Sequence, residues 1–263
     1  MKPKLAPVPK VRSEARKTLL WVKNLRKVFQ TNGSFLTVLD DVHFYAMSGE
    51  MICIFGRSGC GKSTLLKILA GFLSPSSGTV LLNGKPVINP GPDRCVVFQE
   101  DTLFPWLTVK ENIAFGLRGR ARDKKAIWEE VEHFLSLVGL SEFRDYLPRD
   151  ISGGMKQRVA LARVLILKPQ VLLMDEPFAS LDAQTREEMQ NLLLSLWKKL
   201  SHTVLFVTHD VNEAITLADR ILLMDKNPGR IRDEIRVDLP RPRKKEKSEF
   251  LFFSGKLYER IRE

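Results

Sequence analysis

The sequence predicts an α/β fold: a mostly parallel sheet, covered on both faces and interrupted by an inserted helical lobe. Three observations carry this. Short apolar runs, MICIF at 51–55, VLLM at 171–174, TVLFV at 203–207 and RILLM at 220–224, read as buried strands. Amphipathic segments of helical spacing separate them. The stretch from about 100 to 165 is poor in strands, so the alternation breaks there.

Taken in order, MICIF runs through a glycine into the helical KSTLLKILAG. SGTVLLNGKPV places Asn83-Gly84 between two strand-like halves, the dipeptide that suits a two-residue hairpin turn. CVVFQ at 95–99 is another short strand. In KAIWEEVEHFLSLVGL, the residues Ile127, Val131, Phe134, Leu135 and Val138 recur at helical spacing. A further helix carries Met189, Leu192, Leu193 and Leu196 on one face, between the VLLM and TVLFV strands.

The 263 residues suffice for one or two domains with a sizeable core. No apolar run approaches the roughly 18 residues of a membrane span. The basic residues 1–16 lead into no apolar stretch of the kind a signal peptide has. Cys53, Cys60 and Cys95 are an odd number without metal-ligand spacing, which fits a reducing, cytosolic setting. The net charge of +11 is uneven: residues 1–30 carry nine Lys/Arg against one Glu, and residues 227–263 eleven against seven acids. Basic ends predict solvated tails, with attraction to anionic headgroups as the second reading. A nucleic-acid partner is not expected, because basic charge would then cluster on core elements.

The chemistry gathers at strand ends. GRSGCGKST at 56–64 fits G-x-x-x-x-G-K-[ST], with an apolar strand before it and a helix after it. Gly56, Ser58, Gly59, Cys60 and Gly61 would let backbone N–H groups surround phosphate oxygens, helped by the positive end of the helix. Lys62 would reach the β- and γ-phosphates, Ser63 would ligate Mg²⁺, and Thr64 would join them in binding the nucleotide. Cys60, close to a helix N-terminus, is a candidate for a lowered thiol pKa and for modification that blocks activity, against the reading as an inert small residue. Asp175 and Glu176 end the VLLM strand. Successive strand side chains alternate, so the pair would divide its roles if the strand continued: Asp175 towards Mg²⁺, Glu176 to orient or deprotonate water. His209 ends the TVLFV strand at the same edge and could touch the γ-phosphate. Gln99 ends CVVFQ and could contact Mg²⁺ or the attacking water.

One stretch is left over. In DISGGMKQRVALAR, at 150–163, two glycines open a helix that no strand feeds. Each costs about 1 kcal/mol against alanine, so the pair calls for a reason.

The P-loop, Gln99, ISGGMKQR, LLMDEP, SLD at 180–182 and THD at 208–210 together resemble the ATP-binding cassette (ABC) ATPases, in order and spacing, over residues 18–235. The resemblance implies a P-loop NTPase (RecA-like) core with a mostly parallel sheet, an antiparallel β subdomain and an inserted helical subdomain. It implies ATP and Mg²⁺ as cofactors and transport-coupled ATP hydrolysis as the activity. It assigns Ser152, Gly153 and Gly154 to the γ-phosphate of an ATP held by another subunit, and Asp182 to contact across that interface. Two copies, or a copy and a related ATPase, would thus enclose two ATPs head to tail. Phe29 stands where the family usually stacks a tyrosine on adenine.

LFPWLTVKEN resembles more narrowly the ATPase subunits of nitrate, sulfonate and taurine-type importers, a group that extends to thiamine-precursor systems. There Phe104, Pro105, Trp106 and Leu107 would face a membrane permease, with a solute-binding protein as an indirect partner and the cytoplasmic face of the membrane as the location. A soluble, non-transport cassette is the alternative; those acting on nucleic acid or ribosomes carry two cassettes or a coiled-coil insertion. The expected organisation is a basic tail over 1–16, the ATPase domain over 17–240 with its helical part at about 100–165, and a basic, helical extension over 241–263.

Overall fold

The computed structural model describes residues 17–31, 33–98, 103–118 and 123–262. The expected tail, 1–16, and Gln99 lie outside the described residues. The chain begins with two long antiparallel strands, β1 (Thr18–Thr31) and β2 (Ser34–Met47), then enters the apolar β3 (Met51–Gly56) and α1 (Lys62–Ala70). A hairpin of β4 (Ser77–Leu82) and β5 (Lys85–Pro86) follows, then β6 (Arg94–Val97). Leu82 pairs with Lys85, so Asn83 and Gly84 form the two-residue turn, both at positive φ as the sequence predicts.

The inserted lobe comprises α2 (Val109–Ala114), α3 (Lys124–Leu137) and α4 (Gly153–Leu165). The chain then returns through β7 (Val171–Asp175), α5 (Ala183–Leu200), β8 (Thr203–Thr208), α6 (Val211–Leu217), β9 (Arg220–Met224), β10 (Ile231–Arg236) and α7 (Ser248–Arg262).

Two sheets result. The first, ordered β2-β1-β4-β5, is antiparallel. The second, ordered β10-β9-β3-β8-β7-β6, is parallel except for β10. Alternate residues of the parallel strands enter two different cores. Met51, Cys53 and Phe55 point with Leu172, Met174 and Phe206 into the core shared with the helical lobe and α5 to α7. Ile52 and Ile54 point with Leu173, Leu205 and Leu222 into the core shared with α1 and the antiparallel sheet. Burial on both faces is why these strands carry apolar residues at every position. One cover is therefore a sheet, where alternation of strands and helices alone suggests helices.

The basic C-terminal stretch departs from the expected solvated tail. Phe250 and Leu257 of α7 are buried in the main core. Arg243 donates to the carbonyls of Leu239, Ile215, Ala218 and Val237 at 2.6–3.0 Å, and burial pulls its pKa down to about 10. Arg241 likewise donates to the carbonyl of Leu217, so both arginines act as carbonyl ligands at the end of α6, a role that formal charge does not reveal. Among the described residues no helix is long and apolar enough to cross a membrane.

Asn112, fully buried in α2, holds the loop before that helix. Its Oδ1 accepts from Phe104 N (2.9 Å) and its Nδ2 donates to the carbonyls of Phe104, Leu107 and Thr108 (2.9–3.1 Å). Asn112→Ala leaves several backbone groups unpaired and should lower stability by about 2–3 kcal/mol, read by urea unfolding. A loss below about 0.5 kcal/mol would show that water replaces the amide.

Candidate functional site

Three parallel strands end at one edge. Phe55 lies opposite Thr208 and Asp175 opposite Val207, so β3, β7 and β8 present their last residues in one row. This is the edge at which open α/β sheets bind ligands.

From Gly56 the chain turns through an exposed Arg57, Ser58 and Gly59 into α1. Gly61, the N-cap, has φ 98°, and a Cβ there would lie 2.8 Å from Leu39 Cδ2. Only glycine satisfies both the backbone angle and the pressure of β2. The cap supplies no side-chain acceptor and the first turn of α1 holds no acid. Its amides and the positive end of the helix are left for an external anion.

Lys62 is 5% exposed. Its Nζ donates to Gly56 O (2.7 Å) and Arg57 O (3.2 Å), and lies 3.7 Å from Glu176 Oε1. Glu176 Oε2 is in turn 3.0 Å from His209 Nδ1. Beside this chain of groups, Ser63 Oγ donates to Asp175 Oδ1 at 3.2 Å. Burial pushes the Asp175 carboxyl up, against the hydrogen bond from Ser63.

Asp175 and Glu176 do not divide between opposite faces, because the condition for that fails. β7 ends at Asp175, and Glu176 adopts φ +44° while its N–H donates to Val207 O (3.1 Å). The left-handed residue brings both carboxylates to the P-loop. Such strain costs on the order of 1–3 kcal/mol and gathers at functional sites.

Cys60 is also corrected. It is 1% exposed, and a Cβ on Gly56 would lie 2.7 Å from its Sγ. Burial pushes its thiol up, and the nearby Lys62 charge only offsets part of this. The geometry favours the inert reading, since the side chain packs under the loop and the Cys60 N–H donates to Arg57 O at 3.3 Å.

Phe29 is half-buried on β1, opposite Leu36 of β2, with Lys27 Nζ 5.0 Å from its ring centroid. Val38 and Leu39 of the same hairpin press on Gly61, so the ring stands on the element flanking the P-loop.

A second group is built on α4 and α5. Ser152 is the N-cap of α4 and accepts from Met155 N at 3.3 Å. Asp182 is the N-cap of α5 and accepts from Gln184 N and Thr185 N at 3.1 and 3.0 Å. Hydrogen bonds from Thr185 hold the Asp182 carboxyl below the usual carboxylate range. A Cβ on Gly154 would lie 2.5 Å from Thr185 Cγ2, whereas one on Gly153 would meet nothing within 4 Å. The two glycines thus have different reasons: Gly154 lets α4 close onto α5, and Gly153 leaves its helix start bare. Sequence reasoning missed Thr185, because the contact crosses between helices thirty residues apart and leaves no local pattern.

A P-loop, a carboxylate pair and histidine at three strand ends, and a Ser-Gly-Gly helix start on a separate lobe now stand together. The model of the ABC transporter family matches residues 39–179, over half of the chain. The chain belongs to the ABC transporter family. A taurine import ATP-binding protein of Pelagibacter ubique is 48% identical over 81% of this ABC protein and 80% of its own length. A nitrate import ATP-binding protein of Synechocystis sp. is 43% identical over 84% and 83%. A solved dimeric ATP-binding cassette in a post-hydrolysis state, bound to ADP and phosphate, matches with a TM-score of 0.73 and 29% identity, over 84% of this chain and all of its own.

Two outcomes follow for this ABC protein. Gly154→Ala should cut ATP turnover at least tenfold while leaving nucleotide affinity at the P-loop unchanged, and adding Thr185→Ser, which removes the obstructing methyl, should restore most of it. Turnover unaffected by Gly154→Ala would show that the helices separate freely. A charged thiol reagent should leave Cys60 unmodified in the folded protein, by peptide mass spectrometry, and label it after unfolding.

Proposed function

We propose that this ABC ATPase is the energy-coupling subunit of an importer for a small solute of the nitrate, sulfonate and taurine class. The carrying observation is that the phosphate chemistry is divided between two places. Lys62, Glu176 and His209 form one connected group at the P-loop, while the bare start of α4 stands on another lobe. A head-to-tail pair of subunits unites one of each around every ATP.

The P-loop amides and Lys62 bind the phosphates, with Lys62 exchanging its loop carbonyls for γ-phosphate oxygen. Glu176, held between Lys62 and His209, accepts a proton from the attacking water. His209 orients that carboxylate and reaches the γ-phosphate. Phe29 stacks on adenine, and Gln99 senses the γ-phosphate. Ser63 and Asp175 fit Mg²⁺: they are hard oxygen donors 3.2 Å apart, and a desolvated carboxylate gains from a cation. When bound, the ion offsets charge on the phosphates.

The importer reading rests on the two relatives named for nitrate and taurine import and on an apolar groove. The groove, about 700 Å³, is lined by Phe72, Phe98, Phe104, Phe115 and Leu167, with the Arg163 guanidinium 5.5 Å from the Phe104 ring. Trp106, 72% exposed, lies 5.7 Å from Phe104. Leu107, expected on the same surface, is buried in the lobe. An exposed aromatic surface held on a rigid Asn112 staple suits a helix of a membrane permease. A solute-binding protein then acts indirectly, and the subunit works at the cytoplasmic face of the membrane.

Glu176→Gln removes the base. It should retain ATP binding, lower phosphate release by 10²–10⁴-fold, and form a dimer in saturating ATP-Mg²⁺ by light scattering. A variant that binds ATP yet stays monomeric would overturn the shared site.

A further inference from the structure

A buried acid in α6 has no part in this reading. Glu213 stands three residues after Asp210, the N-cap of α6. That spacing suits a capping box, in which the glutamate side chain accepts from the N-cap amide. α2 is built so: Glu111 Oε2 accepts from Thr108 N at 2.8 Å. In α6 the Asp210 amide donates instead to Thr208 Oγ1 at 3.1 Å, and the Glu213 side chain turns inward, 5% exposed. An acid taken out of water costs free energy, so its place calls for a reason.

The groups around it supply one. Thr208, the last residue of β8 and the one before His209, hydrogen-bonds the Glu213 carboxyl through its hydroxyl. Gln190 of α5, itself buried, donates from Nε2 to Glu213 Oε1 at 3.4 Å, while its own Oε1 finds no partner among the described residues. One turn earlier on α5, the Arg186 charge attracts the same carboxyl. Burial pushes that carboxyl up, and these three neighbours oppose the rise. Arg186 also holds the turn that follows Glu176: its Nε donates to Phe178 O (3.3 Å) and its Nη2 to Leu181 O (2.8 Å). The contacts close a ring. On one side Glu176 Oε2 meets His209 Nδ1 at 3.0 Å. On the other, Arg186 and Glu213 join the turn after Glu176 to the residue before His209.

We propose that Glu213 is a positioning residue for ATP hydrolysis: through Thr208 on one side and Arg186 on the other, its buried carboxyl fixes the turn after Glu176 against the end of β8, so that Glu176 meets His209. This rests on the reading of Glu176 as the base and His209 as the group that orients it. Both need such support. Glu176 sits in left-handed backbone at φ +44°, and the His209 side chain is 62% exposed and gains little from packing. A misplacement of about 1 Å at such a pair costs on the order of 10²-fold in rate. The groups that Glu213 meets all belong to the protein, so its loss bears on the chemical step and not on nucleotide binding.

The test is steady-state ATP hydrolysis by the full chain, with nucleotide affinity read separately from a fluorescent ATP analogue. Glu213→Ala should lower kcat about tenfold or more, with KM and affinity within about twofold of the parent. Glu213→Gln keeps the length of the side chain and an acceptor for Thr208, and should stay within about threefold of the parent. Arg186→Gln should lower kcat by about tenfold at unchanged KM, and the double variant should lose no more than the worse single one, since both cut one linkage. A merely structural Glu213 would lower the unfolding midpoint of Glu213→Ala and leave kcat per folded molecule at the parent value. That result, or a KM that rises in step with the loss, overturns the proposal. If Glu213→Ala fails to fold, Arg186→Gln decides, and a parent-like kcat there overturns it. Glu176→Gln tests the underlying reading separately: turnover kept in that variant overturns both, whereas turnover lost there and kept in Glu213→Ala overturns the role of Glu213 alone.

Discussion

The parallel pairing of β3, β8 and β7 is the constraint on which the rest depends. Each strand brings one functional group to its last residue or the one beyond: the P-loop after Gly56, the carboxylates at Asp175 and Glu176, the histidine after Thr208. The groups share no sequence neighbourhood. They meet because the register fixes the three ends to within a residue. A slip of one residue would send every side chain of a strand to the other core. Both cores forbid that slip, since each strand is buried on both faces. The apolar strands therefore set the geometry of chemistry they do not perform.

What the sequence made legible was whatever depends on contiguous residues. The P-loop, the strands, the Asn83-Gly84 turn, the lobe and the Ser-Gly-Gly helix start all announce themselves within a dozen positions. What it hid depends on partners far along the chain. β1 and β2 carry many polar residues because one of their faces is open, so they look unlike the buried strands. Glu176 becomes left-handed only because β8 captures its amide at Val207. Cys60 follows the rule for a thiol at a helix N-terminus in sequence but not in space, because its side chain turns beneath the loop. Arg241 and Arg243 count as tail charge until the carbonyls that they bind are located.

Electrostatics explains why the site is built from two incomplete halves. The first turns of α1 and α4 carry no acid, although acids are favoured there. At α2 and α5 the opposite choice is made: Glu111 closes a capping box with Thr108, and Asp182 caps α5. The two helices left without negative charge are the two that begin with glycine at the N-cap or in the first turn. On the proposed reading, a terminal phosphate supplies the charge that both lack. Bringing two such helix starts together without an anion would oppose their dipoles, so in the proposed head-to-tail pair the nucleotide favours closure.

The same logic gives Gly154 and Thr185 a mechanical role. α4 answers to the phosphate and α5 begins at Asp182, five residues after the P-loop carboxylates end in Pro177. Their contact is a glycine face against one methyl group, at a half-buried seam between the two helices. On the proposed reading, a displacement of α4 towards a phosphate would press on the start of α5 and, through the short 177–182 segment, on the strand end that holds Glu176. Closure and the placement of Glu176 are, on that reading, coupled through a contact that a larger residue at Gly154 would displace.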